Sequence, residues 1–442
     1  MHNFSPATIL TAKLVVIGVL GLALWIPTSI VGLLVSERAN RRAEVVSEVS
    51  ATWGRAQIVE GPVLSVPVSM WQEGENGRRS KRTAWISQLP ETLEVRGTLE
   101  PEIRYRAIYE VVLYRGTLNL RGSFPPLDPA RWGVRAEDVQ WDRAVLTFGV
   151  SDPKGLREIP RLVLGDETLA LEPGAGRGPF PDGLGAAIKL RWSAVGEESA
   201  GLPFDLEVEL AGSESLRFLP MARVTTVELA APWPNPSFEG AFLPEDRTVN
   251  ADGFEATWRV LSLHREVPQH WISGSDVGDC HADNLRNSSF GTKLLFPVDA
   301  YQRTLRSVKY SVLFSMLTLL GFFAVEIGGK SSIHPVQYGV IGFALCLFYL
   351  VLLSLSELVG FDPAYAVASI VIIALISGYI HGIGRRGTLT TMCAGVLVIV
   401  YGSLFVMLQL EELALLMGTL LLLVLCGVVM LLTRRLTWNQ ER

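Results

Sequence analysis

The sequence predicts a membrane protein: a six-span α-helical bundle with one large extracytoplasmic β-rich domain, sandwich-like or roll-like, inserted between spans 1 and 2. Three observations carry that prediction. Charge is spread very unevenly over the 442 residues: 15 of the 83 charged side chains lie in residues 1–36 and 306–442, and the other 68 in residues 37–305. The two charge-poor blocks contain uncharged stretches long enough to cross about 30 Å of hydrocarbon at roughly 1.5 Å per residue. The block between them alternates apolar and polar residues with a period of two, the mark of half-buried strands. Together these exclude a wholly soluble enzyme and a disordered chain. No basic stripe accompanies the net charge of −5, which excludes nucleic acid as a partner.

Residues 1–36 read as an N-terminal signal anchor. Leu14–Val35 runs 22 residues without a charge, longer than the apolar core of a cleavable signal, and no small-x-small site follows before Glu37. Residues 37–305 form the β-rich domain, which begins with a helical extension. In that extension, Ser36–Trp53, Val45, Val46, Val49 and Trp53 recur at helical spacing. Farther along, Phe204, Leu206, Val208 and Leu210 alternate with Asp205, Glu207 and Glu209. Extended runs occupy 58–68, 103–120, 145–150, 162–171, 224–229 and 254–261, punctuated by turn pairs such as Gly61-Pro62 and Pro173-Gly174. One short helix is expected over 129–139. Residues 306–442 form a C-terminal membrane domain of five spans, at about 310–325, 336–356, 363–380, 389–410 and 413–433.

Positive charge sets the orientation. Lys13, Lys330, Arg385, Arg386, Arg434 and Arg435 fall on one side, while the short loops opposite hold Glu357, Asp362, Glu411 and Glu412 and no Lys or Arg. The basic side is expected to be cytoplasmic, with both termini, and residues 37–305 periplasmic. Arg38, Arg41, Arg42, Arg303, Arg306 and Lys309 run against this trend, but they flank a long domain, and long domains translocate largely regardless of charge. That domain carries 30 basic against 38 acidic residues.

No pattern marks a catalytic centre, cofactor site or metal site. His264, His270, Cys280 and His281 have a spacing that matches no closed zinc pattern, so they read as ordinary surface residues. The glycines of Gly174–Gly185 lack the strand and helix of a phosphate loop. Ser307 and Lys309 are two residues apart, not the three of a Ser-x-x-Lys site. Cys346, Cys393 and Cys426 fall inside spans, which leaves Cys280 alone in the outer domain without a disulfide partner. The better signal is the ionisable side chains at span ends, which are costly there and often functional. Arg306, Lys309, Glu357, Glu411 and Glu412 form a candidate polar cluster at the outer boundary. It reads either as a ligand-binding or coupling site, or as interfacial ion pairs that set topology.

Several longer words point to a family. Near the second span stand Ser289-Phe290-Gly291-Thr292-Lys293, His334-Pro335-Val336-Gln337-Tyr338 and Leu353-Ser354-Leu355-Ser356-Glu357, and the last hairpin has Gln409-Leu410-Glu411-Glu412. The outer domain adds Gly61-Pro62-Val63-Leu64, Ser151-Asp152-Pro153-Lys154-Gly155, Trp233-Pro234-Asn235-Pro236-Ser237-Phe238 and Gly253-Phe254-Glu255-Ala256-Thr257-Trp258. Over roughly residues 50–440 the chain resembles the CreD family of bacterial inner-membrane proteins, also called cell envelope integrity proteins. It departs from the family at Leu358, usually His, and at Glu412, often Asp. The resemblance implies an inner-membrane location and a role in envelope integrity. In several Gram-negative bacteria it also implies a link to β-lactam responses under a two-component regulator. It brings no catalytic site to carry over. The expectation is therefore a non-enzymatic protein without cofactors, whose partners are membrane lipids and an envelope protein or cell-wall component. The alternative is a transporter or membrane enzyme acting on lipid or cell-wall precursors, centred on Glu357, Glu411 and Arg306.

Overall fold

The computed structural model describes residues 6–73, 79–174, 183–190, 201–273, 280–295, 300–329, 333–384, 387–410 and 414–434. The chain divides into two compact units, one made of Met1–Ala43 with Val298–Arg442, the other of Glu44–Pro297.

The first unit is helical. It contains α1 (Pro6–Ala23), most of α2 (Trp25–Trp53), α4 (Ala300–Lys309), α5 (Ser311–Gly329), α6 (Pro335–Val359), α7 (Phe361–Gly384), α8 (Gly387–Gln409) and α9 (Ala414–Arg434); α3 (Cys280–Asn287) lies in the other unit. Among the described residues four helices are long and apolar enough to cross a membrane: the near-continuous stretch Ala12–Trp53, α6, α7 and α8. A fifth results if α4 and α5 count as one span, bent by 51° at Tyr310. The span expected from Tyr310 thus starts one residue later, behind an amphipathic helix set at an angle to it. Some polar side chains inside these helices return their hydrogen bonds to the backbone, which suits a hydrocarbon setting. Thr318 donates to the Phe314 carbonyl at 2.8 Å and Ser356 to that of Leu353 at 2.9 Å. Where α6, α7 and α8 meet, the Phe348 ring lies 5.4 Å from Tyr365 and 4.6 Å from Tyr401. The Tyr365 hydroxyl donates to the Tyr401 carbonyl at 2.6 Å.

The second unit is built from two packed sheets. One holds β1 (Gln57–Glu73), β2 (Arg79–Gln88), β5 (Ala144–Val150), β8 (Glu172–Pro173), β9 (Leu184–Ile188), β11 (Ser215–Phe218), β13 (Pro236–Gly240), β16 (His270–Ser273) and β17 (Phe290–Leu294). The other holds β3 (Thr92–Arg106), β4 (Tyr109–Phe124), β6 (Arg161–Leu164), β7 (Glu167–Leu169), β10 (Leu202–Ser213), β12 (Val224–Ala231), β14 (Asp246–Val249) and β15 (Phe254–Leu261), in the order β14-β15-β12-β3-β4-β10-β6-β7. Both sheets are mixed, since β1 pairs β11 and β3 pairs β12 in parallel. The chain passes from one sheet to the other at Glu214, whose φ of 61° lets β10 end and β11 begin two residues later. The alternation expected in β10 is real: Phe204, Leu206, Val208 and Leu210 are buried, and Glu207 and Glu209 are exposed.

Three local expectations fail. The run 162–171 is a hairpin, in which Gly165, with a φ of 60°, turns β6 into β7. The run 103–120 is a hairpin and not one strand, because Ala107 takes a φ of 56° and turns β3 into β4. Residues 129–139 form turns and a short 3-10 segment, Ala136–Asp138, instead of an α-helix. Gly133, with a φ of 71°, interrupts any helix there, and Trp132 turns inward to donate to the buried Gln88 side chain at 3.1 Å.

The entry of α2 into the sheets is held by backbone contact and by a buried amide. Gln57 is fully buried; it donates to the carbonyls of Asp152 (3.1 Å) and Ala211 (3.2 Å) and accepts from the Asp152 N–H (3.2 Å). A Cβ on Gly155 would come within 2.3 Å of both Ala211 O and the Gln57 side chain, so glycine is required there by packing. Beside them the fully buried Tyr114 donates to Ser215 O at 2.9 Å. Burial pushes its phenol well above the usual value near 10. A raised acid pKa gives stability that is complete below the unfolded value and is lost as pH rises through it. Tyr114→Phe is expected to cost about 1–2 kcal/mol at neutral pH, since a buried carbonyl loses its donor. It should also flatten the decline in stability above about pH 10, read from thermal unfolding across that range. An unchanged alkaline slope would count against the assignment.

Candidate functional site

Two clusters of ionisable side chains stand at opposite ends of the helical unit's spans. The first surrounds the turn between α6 and α7. Gly360, with a φ of 81°, ends α6, and Asp362 sits in the first turn of α7, where the helix dipole favours an anion. The turn therefore presents one acid on each side, Glu357 and Asp362. Helix α4 meets both: the Tyr301 hydroxyl donates to Glu357 Oε1 at 3.1 Å, and Arg303 Nη1 donates to Asp362 Oδ1 at 3.1 Å. Arg38 of α2 approaches Glu357 at 4.0 Å, and Gln409 Nε2 at the end of α8 donates to Asp362 at 3.1 Å. Glu357 and Arg303 are largely buried, with side chains 14% and 13% exposed.

Of the five residues that the sequence groups here, Arg306 is half-buried and Lys309 exposed on α4, while Glu357 takes its partners from Tyr301 and Arg38. Glu411 and Glu412 lie outside the described residues. Tyr301, Arg303 and Asp362 carry contacts that the sequence reading did not assign. Their signal was the position of two acids around a glycine turn, with a basic amphipathic segment just before a span.

The second cluster was not foreseen. Lys13 of α1 lies 2.5 Å from Glu326 of α5 and also donates to the Ile333 carbonyl at 3.0 Å. Glu326 is 6% exposed and accepts two further bonds, from Ile333 N at 3.2 Å and from the Tyr338 hydroxyl of α6 at 2.8 Å. One carboxylate thereby joins α1, α5 and α6. Next to it His334 caps α6: its ring accepts from Val336 N, and Gln337 returns a bond to the His334 N–H at 2.8 Å. Such a capping box accounts for the word His334-Pro335-Val336-Gln337 without a ligand. A sequence signal existed, because Lys13 is the one charged residue among the first 36 and Glu326 the one acid in α5.

Chemically these clusters can hold helices in register, since each carboxylate takes partners from more than one helix. Among their described residues no nucleophile is paired with a base. Among the described residues no three His, Cys, Asp or Glu side chains come together as a metal site. His264 is exposed, with its ring 6.1 Å from that of Phe242, and His270 lies in β16; the side chains of Cys280 and His281 lie outside the description. In the β-rich unit the buried Arg265 donates to Pro220 O and to Gln269, both at 2.6 Å. Burial, and then the nearby Arg223 charge, bring its guanidinium down to about 10.

The family model described as inner membrane protein CreD matches residues 9–439. The inner membrane protein CreD of Escherichia coli (strain K12) is 30% identical over 426 residues, covering 94% of this chain and 91% of its own. Among solved structures, an M1 zinc metallopeptidase from Deinococcus radiodurans matches 77% of this chain and 86% of its own at 8% identity, with a TM-score of 0.21, too low to assign a fold. A family match over nearly the whole length, on a chain of apolar helices and a large β-rich unit, leaves one conclusion: the chain belongs to the CreD family of inner membrane proteins.

Proposed function

We propose that the chain is a six-span protein with both termini in the cytoplasm and its β-rich unit in the periplasm. In this reading the bent pair α4–α5 and helix α9 supply the fifth and sixth spans, and residues 37–305 and 306–442 act as the periplasmic and C-terminal membrane domains. Its role is non-enzymatic: it supports the cell envelope by binding an envelope protein or a cell-wall component through the periplasmic unit, with membrane lipids around the spans. A link to envelope stress and β-lactam responses follows from the same family reading. The observation that carries the proposal is a well-packed two-sheet body of 254 residues, Glu44–Pro297, inserted between apolar helices. The charge asymmetry of the short loops supports the orientation.

In-cell crosslinking from the β-rich unit, with captured partners identified by mass spectrometry, tests the binding role. A reporter fused near Asp205 that reads cytoplasmic would overturn the layout. Glu357→Gln separates binding from transport or catalysis at the membrane boundary. The amide oxygen of the glutamine can still accept from the Tyr301 hydroxyl, and the ion-pair partner Arg38 is 4.0 Å away and half-exposed, so the change is expected to cost no more than about 1 kcal/mol. Protein abundance should hold, and envelope protection should be retained. Loss of protection at unchanged abundance would favour a transporter or membrane enzyme acting on lipid or cell-wall precursors.

A further inference from the structure

Where α2 ends, three guanidiniums converge on one indole. The Cζ atoms of Arg157, Arg104 and Arg115 lie 4.1, 4.2 and 5.5 Å from the centroid of the Trp53 ring. Arg157 is fixed further by its Nη2, which donates to the Trp53 carbonyl at 3.0 Å. Beside this stack the β-rich unit has a concavity of about 370 Å³, lined in part by Trp53, Arg115, Arg157, Glu100, Glu209 and Leu210. That is the lower end of the size range of small-molecule sites.

Strand register explains the composition. Glu100 of β3 stands opposite Arg115 of β4, and Glu209 of β10 opposite Thr117, so the two-residue period brings these side chains to one face. Elsewhere on that face opposite charges neutralise each other, as in Arg96–Glu228 at 3.2 Å and Arg121–Asp205 at 2.9 Å. At the concavity they do not. Arg115 and Arg157 are drawn to the indole by cation–π attraction, and no ion pair joins either of them to Glu100 or Glu209. Two cations and two anions are thus held apart around one cavity, with the Trp53 indole as its apolar surface.

We propose that this concavity binds a small zwitterion of the amino-acid or short-peptide class. The ligand's carboxylate meets Arg115 and Arg157, its ammonium meets Glu100 and Glu209, and an apolar side chain lies against Trp53. A polyanion is disfavoured by the two carboxylates and a polycation by the guanidiniums. The inference deepens the binding role proposed above and rests on it. Partners crosslinked to this unit in the absence of peptide affinity would leave that role standing and remove this site.

The test is calorimetric titration of the full-length protein in lipid nanodiscs with alanine, trialanine, N-acetyl-trialanine and trialanine amide. Saturable binding of alanine or trialanine tighter than about 1 mM is expected, weakened at least about tenfold by capping either end of the peptide. Which of the two binds tighter tells a free amino acid from a peptide. Arg115→Gln and Glu209→Gln should each weaken binding about tenfold at unchanged melting temperature, since both side chains are exposed. No saturable heat, equal affinity of capped and free peptides, or acetate binding as well as alanine would overturn the proposal. The capped-peptide comparison uses the unmodified protein and does not depend on any variant folding.

Discussion

Glu326→Ala is expected to destabilise the helical unit by about 3–5 kcal/mol, because it leaves the Lys13 ammonium in a mostly buried site without its carboxylate. The geometry supports a value in that range. Glu326 is 6% exposed, Lys13 has a side-chain exposure of 15%, and the carboxylate accepts from Lys13, Ile333 N and the Tyr338 hydroxyl together. Attraction in such a site repays the cost of desolvation only while both partners are present. The double variant Lys13→Met with Glu326→Leu should therefore recover most of the loss, and Glu326→Gln, which still accepts from Ile333 N and Tyr338, should fall between. Denaturant unfolding of the purified full chain in detergent measures all three. A double variant no more stable than Glu326→Ala would show that the pair is not coupled.

That pairing also marks the limit of what the sequence disclosed. Lys13 and Glu326 each stood out as a lone charge beside an apolar run, yet they are 313 residues apart and nothing local joins them. Periodicity revealed what depends on neighbours in the chain. The uncharged runs became α6, α7 and α8, and the alternation of 204–210 became β10 with the expected face buried. It failed where one backbone angle decides. The turn at Ala107 has no glycine or proline to announce it, so β3 and β4 read as one strand. It also failed where direction matters. Treating Tyr310 as the start of a straight span hid the 51° bend that carries Tyr301 and Arg303 to the two acids of the α6–α7 turn.

Trp258→Ala is expected to cost the β-rich unit about 3–5 kcal/mol, the range for emptying a large aromatic site in a core. Trp258 is fully buried on β15, in one sheet, and its ring lies 6.0 Å from Phe290 on β17 and 5.7 Å from Phe238 on β13, both in the other. It therefore fastens the two sheets together. The three residues come from three separate words of the family resemblance, those ending in Phe238 and Trp258 and the one beginning Ser289-Phe290-Gly291. Their meeting in one cluster gives those words a packing explanation that needs no ligand. Trp258 Nε1 has no hydrogen-bond partner. Trp258→Phe consequently sacrifices volume but no bond, and is expected to cost about 1–2 kcal/mol, well below the alanine variant. Thermal unfolding followed by near-UV circular dichroism compares the two. If phenylalanine cost as much as alanine, a polar role for the indole N–H would outweigh its packing, and the sheets would be held together elsewhere.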